Sequence, residues 1–222
     1  MIKILSLFLL TIWAGYSQDN KGQYFFDENW KPVTFEQFES KIDHRVNIAV
    51  YTQNDTAVIA KITIRTERGI LEQSVLEKIQ HNLEAISGRQ IDKNKIIIIN
   101  YYPGLDNYYP AGISKWGIYD KDYIKKVNKI AEVEQFWIYK HDKNLRYHHG
   151  KRLNWLHDKD AMIEKTFFPN HYNYGSFAII DTDGSYYLFF GEYGKTQVWE
   201  ELENIVQKKN LTNESKHNKG YN

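Results

Sequence analysis

Four side chains that could bind a metal ion lie near one another in the sequence. His148 and His149 are adjacent, and His157 and Asp158 form a second pair. Imidazole nitrogens and carboxylate oxygens suit zinc. Their spacing matches no zinc motif, adjacent histidines point apart on a strand, and residues 140–152 around the first pair are rich in lysine and arginine. The sequence therefore predicts no metal, with His148, His149 and His157 as the candidate ligands if a site exists.

A tyrosine-rich loop is the second place where chemistry is expected. It runs from Tyr102 to Tyr119 and follows a run of isoleucines that reads as a strand. Ligands of open α/β sheets usually bind beyond the carboxyl ends of the strands, and aromatic faces with hydroxyls suit a peptide or a sugar. The residues predicted to bind a ligand are Tyr102, Asp106, Tyr108, Tyr109 and Trp116. The alternative is that these aromatics pack the loop onto the sheet.

The composition excludes several chemistries. The 222 residues include no cysteine, so thiolate nucleophiles, dithiol redox chemistry and cysteine-ligated zinc are ruled out. We find no phosphate-binding loop and no Ser-His-Asp arrangement on an elbow. Lys and Arg total 29 against 28 for Asp and Glu, a net charge of +1, which does not favour nucleic acid. The sequence therefore implies no cofactor and no nucleic-acid partner.

The N-terminus has the order of a secretory signal peptide. Lys3 gives a positive start, residues 4–13 are almost continuously apolar, and Ala14, Gly15 and Ser17 are small residues before a polar stretch. The apolar run is shorter than the roughly 20 residues that span a bilayer, and no cysteine follows it to carry a lipid. We expect cleavage after Ser17 and an exported chain, soluble in a periplasm or outside the cell, with no transmembrane segment.

Hydrophobic periodicity predicts alternating strands and helices. Thr34 and Gln37 have the spacing of a capping box and predict a short helix. The other predicted elements are a hairpin (46–51 and 57–65), helices (71–86, 120–130, 156–167 and 198–206), central strands (95–101 and 135–139) and a second hairpin (176–181 and 186–190). Such an order predicts an α/β fold with a mixed central sheet flanked by helices.

One stretch of the chain resembles a known family. The segment Ser176-Phe-Ala-Ile-Ile-Asp-Thr-Asp-Gly-Ser-Tyr-Tyr-Leu-Phe-Phe-Gly-Glu192, followed by Val198-Trp-Glu-Glu-Leu202, is similar to the last hairpin and helix of the thioredoxin-like fold, especially in exported peroxiredoxin and thiol-disulfide reductase relatives. The resemblance implies a thioredoxin-like core at 95–207, with 95–101 as its first central strand. The resemblance does not account for residues 18–94, which we expect to form an N-terminal extension, a hairpin and helix packed on the same sheet. Residues 208–222 form a polar tail that we expect to be disordered.

The functional residues of that family do not carry over. The loop after the first strand holds no cysteine, and the nearest proline before the last hairpin is Pro169, whereas the family places a cis-proline close to the position of Tyr174 and Gly175. The resemblance therefore implies a redox-inactive, non-enzymatic binding or accessory module with a protein, peptide or glycan partner in the cell envelope. The alternative is a hydrolase or other non-thiol enzyme that uses His, Asp or Tyr residues, and a third possibility is a structural envelope component with no small ligand.

Overall fold

The computed structural model describes residues 21–104, 118, 120–142, 145, 153–172 and 174–219, with side chains described as far as residue 211. The strands in this part of the chain are β1 (Gly22–Phe26), β2 (Pro32–Val33), β3 (Asn47–Gln53), β4 (Ala57–Ile64), β5 (Thr66–Ile70), β6 (Ile96–Tyr102), β7 (Val133–Tyr139), β8 (Trp155–His157), β9 (Ser176–Ile180) and β10 (Ser185–Phe190). The helices are α1 (Phe35–Lys41), α2 (Gln73–Ser87), α3 (Lys121–Ile130), α4 (Met162–Phe167) and α5 (Lys195–Lys219). The predicted α/β class is confirmed, with two mixed sheets.

The larger sheet has six strands in the order β5-β10-β9-β6-β7-β8. Strand β6 lies between β7, which is parallel to it, and β9, which is antiparallel. Its isoleucines alternate between the two faces: Ile97 and Ile99 join one hydrophobic cluster, and Ile96 and Ile98 join the other. Helices α2 and α4 pack on the first face, and α3 and α5 on the second. The isoleucine run is therefore a strand buried on both sides, as its composition predicts.

The smaller sheet has four strands in the order β2-β1-β4-β3, with β1 parallel to β4. The predicted hairpin lies here, as β3 and β4. Helix α1 covers one face of this sheet with Phe38, which packs on Ala60 and Ile62. The predicted capping box is present, because the Thr34 hydroxyl accepts from the Gln37 amide and the Gln37 side chain accepts from the Thr34 amide.

The two sheets meet at Arg65, where β4 runs into β5. The backbone amide of Arg65 donates to Val46 at 2.9 Å, and its carbonyl accepts from Phe190 at 2.7 Å. Its guanidinium donates to three backbone carbonyls, those of His44, Phe190 and Glu192. Burial lowers the pKa of Arg65 from its ordinary value. A single cation thus ties the segment just before β3 to the end of β10.

The helix predicted at 156–167 starts later than expected. Trp155–His157 instead forms β8, a short edge strand parallel to β7. The buried Asp158 carboxylate then accepts from the amides of Ile163 and Glu164, so helix α4 begins only at Met162. The apolar residues before Asp158 fit an edge strand as well as a helix turn, and pairing with β7 decides between the two.

The last helix is longer than its apolar pattern suggests. Helix α5 extends to Lys219, through most of the polar segment that we expected to lack regular structure. The Lys209 ammonium contacts the Asp181 carboxylate at 2.7 Å, which fastens this part of the helix to the turn between β9 and β10. Among the described residues, no helix combines the length and hydrophobicity needed to cross a bilayer.

Candidate functional site

A groove of about 470 Å³ lies between the two sheets. One wall is the face of the small sheet opposite α1, and the other wall is formed by β5, β10 and the chain that follows α4. The volume lies in the range of small-molecule and cofactor sites. The groove is therefore the candidate functional site in the described part of the chain.

The floor of the groove is apolar. Its buried members are Val50, Phe167, Tyr172, Leu188 and Phe190, and all of them belong to the main hydrophobic cluster. The rings of Tyr172 and Phe190 stack with their centroids 4.5 Å apart. Burial raises the pKa of the Tyr172 phenol, so this group stays protonated and able to donate a hydrogen bond.

The rim of the groove offers polar groups. Hydroxyls and an amide come from Thr52, Thr63, Thr66, Thr166 and Asn170. Lys61 lies in the wall formed by the small sheet, and Glu67 lies on β5. Apolar floors with a few placed polar groups are typical of binding sites, because the floor supplies affinity and the polar groups fix orientation.

Trp30 stands at the mouth of the groove on a tight turn between β1 and β2. The Asp27 carboxylate holds the turn by accepting from the amides of Asn29 and Lys31, both at 3.0 Å, and from the Lys41 ammonium at 3.1 Å. The Trp30 amide donates to the Asp27 carbonyl at 3.1 Å. Hydrogen bonds within the turn therefore fix its backbone, although the indole of Trp30 is 60% exposed.

The backbone of Trp30 is strained. Its φ of 62° lies in the left-handed region, which glycine or asparagine adopts more easily than a bulky residue. The cost of such a conformation is on the order of 1 kcal/mol. The turn therefore holds a large, exposed, apolar side chain at a cost in backbone conformation.

Asp27 makes the turn sensitive to acid. The hydrogen bond from the Lys31 amide, with help from Lys41 and Asn29, holds the pKa of Asp27 below its ordinary value of 3.8. Because the folded pKa is depressed, this stabilisation is present above the ordinary pKa and is lost as pH falls through the folded value. We expect Asp27→Asn to be less stable than wild type at neutral pH and to lose less stability below about pH 4. Urea unfolding at a series of pH values measures this.

The control for that experiment is Asp55→Asn, which changes a carboxylate in an exposed turn. It should reproduce the wild-type pH profile. If the stability of Asp27→Asn instead falls at low pH as steeply as that of wild type, the turn is not held by the ionised carboxylate.

Lys61 lies over the Trp30 ring, with its nitrogen 4.5 Å from the ring centroid. The Phe26 ring contacts the same indole at a centroid distance of 5.6 Å, tilted by 59°. These two contacts order the indole and place a positive charge against it.

The structure places the predicted ligand-binding residues as follows. Tyr102, the last residue of β6, is buried, with 7% of its surface exposed, and its ring meets Trp155 edge to face at 6.3 Å. Asp106, Tyr108, Tyr109 and Trp116 lie outside the described residues. The binding role of the tyrosine-rich loop therefore stays a prediction.

The candidate metal ligands are also divided. His148 and His149 lie outside the described residues. His157 is exposed and stacks on Tyr139 with ring centroids 5.1 Å apart, while both oxygens of Asp158 are used to cap α4. Within the described ranges, no three histidine and carboxylate side chains are grouped so that they could hold a metal ion.

The sequence reasoning missed the groove because its walls come from distant segments. Strand β1 pairs with β4, although more than thirty residues separate the paired positions along the chain. Strand β5 is a polar segment without periodicity, and it forms the edge of the large sheet beside β10. A local pattern could have indicated Trp30. Asp27 and Asn29 favour a turn, and Trp30 beside them belongs to no apolar repeat that would predict its burial.

Comparison with known proteins gives little support from sequence. No protein-family model matches the chain, and a search of curated proteins finds no match. Among solved structures, the exposed lipoprotein thioredoxin of Streptococcus pneumoniae strain TIGR4 is similar over 50% of this chain and 86% of its own, with 15% identity and a TM-score of 0.32. A likeness at this level supports no inference about function.

Proposed function

We propose that this chain is an exported, redox-inactive module of thioredoxin-like type that binds an extended peptide segment in the groove between its two sheets. The observation that carries the proposal is Trp30, held outward at positive φ at the mouth of that groove. Tryptophan is enriched among residues that dominate binding energy. The ordered turn beneath it reduces the entropy lost on binding.

The thioredoxin-like part of the proposal is supported by the order of elements. Strand β6, helix α3 and strand β7 precede the hairpin β9–β10 and helix α5, and this is the order on which the sequence resemblance rests. The absence of cysteine removes the thiol chemistry of that family. Export is supported by the apolar run at 4–13 and the small residues that follow it.

A peptide fits the groove better than a glycan. The groove has an apolar floor and threonine hydroxyls at its rim, which suits a chain with apolar side chains and a polar backbone. Lys61 and Phe26 already contact the Trp30 indole, so a sugar ring could stack only on the part of it that they leave exposed. The tyrosine-rich loop remains a second predicted contact, and the non-thiol enzyme remains the alternative hypothesis.

The proposal is tested with the purified protein and a random nonapeptide display library. We expect enrichment of peptides that bind wild type, and a loss of affinity of about thirtyfold or more for Trp30→Ala, as for a binding hot spot. Trp30→Gly should lose binding to the same degree while unfolding at about the same urea concentration, because glycine relieves the strained φ.

The matched control is Phe35→Ala, which removes another exposed aromatic ring, 53% exposed on α1, outside the groove lining. It should bind like wild type. No enriched peptide, or equal binding by wild type and Trp30→Ala, would contradict the proposal, and enrichment of oligosaccharides on a glycan array would replace the peptide with a sugar.

A further inference from the structure

The groove contains two charges that have no charged partner among the described residues. Elsewhere in that part of the chain, long-range ion pairs are common, such as the two 2.7 Å contacts from Arg68 to Glu201. Lys61 contacts the Trp30 ring but no carboxylate, and Glu67 accepts from the Tyr186 hydroxyl at 2.9 Å but contacts no cation. Both charges are therefore available to a ligand.

The two charges lie in different parts of the groove. Lys61 is in the middle of β4, in the small sheet, whereas Glu67 is on β5, which belongs to the large sheet. The strands follow one another through Arg65, and an extended chain rises about 3.3 Å per residue. Lys61 and Glu67 are thus at most about 20 Å apart along the backbone, which equals the span of about six residues of an extended ligand.

Each charge has surroundings that define a subsite. Lys61 stands beside the Trp30 indole, so a ligand residue there meets a cation and an aromatic ring. Glu67 is held in place by the Tyr186 hydroxyl, so its free oxygen has a fixed direction. An oriented carboxylate next to threonine hydroxyls suits an ammonium or guanidinium group.

Building on the proposed peptide function, we infer that the groove selects an extended peptide with one acidic and one basic residue. The acidic side chain binds Lys61 beside Trp30, and the basic side chain binds Glu67, with no more than about five residues between them. Because the two charges are of opposite sign and lie at different positions, they fix the direction in which the peptide lies. Charge placement of this kind gives specificity more than affinity.

The test uses nonapeptide libraries in which three to five residues separate one fixed acidic and one fixed basic residue, in both orders. Wild type should prefer one order about tenfold over the reverse, and over peptides with two acids or two bases. Lys61→Glu should shift the preference to peptides with two basic residues, and Glu67→Lys to peptides with two acidic residues. The double reversal should restore binding and prefer the opposite order.

The matched control is Lys78→Glu, a charge reversal on the exposed face of α2, which should leave the preference unchanged. Folding of every variant is checked by thermal unfolding. If wild type enriches peptides regardless of charge, or the reversals leave the preferred order intact, the charge assignment is overturned while peptide binding stands. If no peptide is enriched by wild type, both the charge assignment and the proposed function are overturned.

Discussion

Replacing Arg65 by leucine is expected to lower the free energy of unfolding by about 3 kcal/mol, since hydrogen bonds from a charged group contribute about 1.5–3 kcal/mol each and are not fully additive. The guanidinium of Arg65 donates to the carbonyls of His44, Phe190 and Glu192, and it also lies over the Phe189 ring at 4.8 Å. Leucine keeps part of the apolar contact but leaves three carbonyls without their donor. Urea unfolding followed by circular dichroism measures the loss.

Two comparisons separate this role from a general effect of losing a charge. Arg45→Ala removes an exposed guanidinium, 88% accessible, that pairs with its sequence neighbour Asp43, and it should change stability little. Arg65→Lys should be intermediate, because an ammonium cannot reach three carbonyls with the planar geometry of a guanidinium. If Arg65→Leu unfolds like wild type, the sheets are not joined through this residue.

Replacing Asn100 by leucine is expected to lower the free energy of unfolding by about 2–4 kcal/mol, the second large effect. Asn100 is fully buried in β6, and its Oδ1 accepts from the hydroxyls of Tyr193 at 2.8 Å and Tyr123 at 3.2 Å. Burial raises the pKa of Tyr123, so that hydroxyl remains a donor at all accessible pH values. Leucine would leave both hydroxyls without this acceptor.

A double-mutant cycle makes the second prediction specific. Tyr123→Phe removes one donor and should cost about 1 kcal/mol. In the double variant, the free energy of unfolding should fall by less than the sum of the two separate losses. Tyr123→Phe removes the hydroxyl that Asn100→Leu would leave without its Asn100 acceptor. Additive losses would show that Asn100 and Tyr123 do not depend on each other.

The parts of the fold that the sequence predicts well are those with strong local signals. The isoleucines of β6 predict two-sided burial, Gly88 ends α2 in the left-handed conformation, and Asp183 accepts from the Ser185 amide in the turn of the last hairpin. In each case the residues that carry the pattern also make the contact. The prediction needs no information from distant parts of the chain.

The parts that the sequence does not predict depend on distant pairing. Asp120 directly precedes α3, but its carboxylate makes no cap hydrogen bond and instead contacts Lys195, far along the chain. The groove depends in the same way on β1 meeting β4 and on β5 meeting β10. The sequence around a single position such as Trp30 can indicate that its side chain is exposed. It cannot indicate which groove that side chain lines, because the groove walls form only when the sheets assemble.

The measurement that tests the central claim most directly is chemical-shift mapping of the isotope-labelled protein during titration with an enriched peptide. We predict that the Trp30 indole and the amides of Thr52, Thr63 and Asn170 shift together and saturate at the same peptide concentration. Shifts confined to Tyr102 and the loop that follows it, with the groove signals unchanged, would contradict the account and move the binding site to the tyrosine-rich loop.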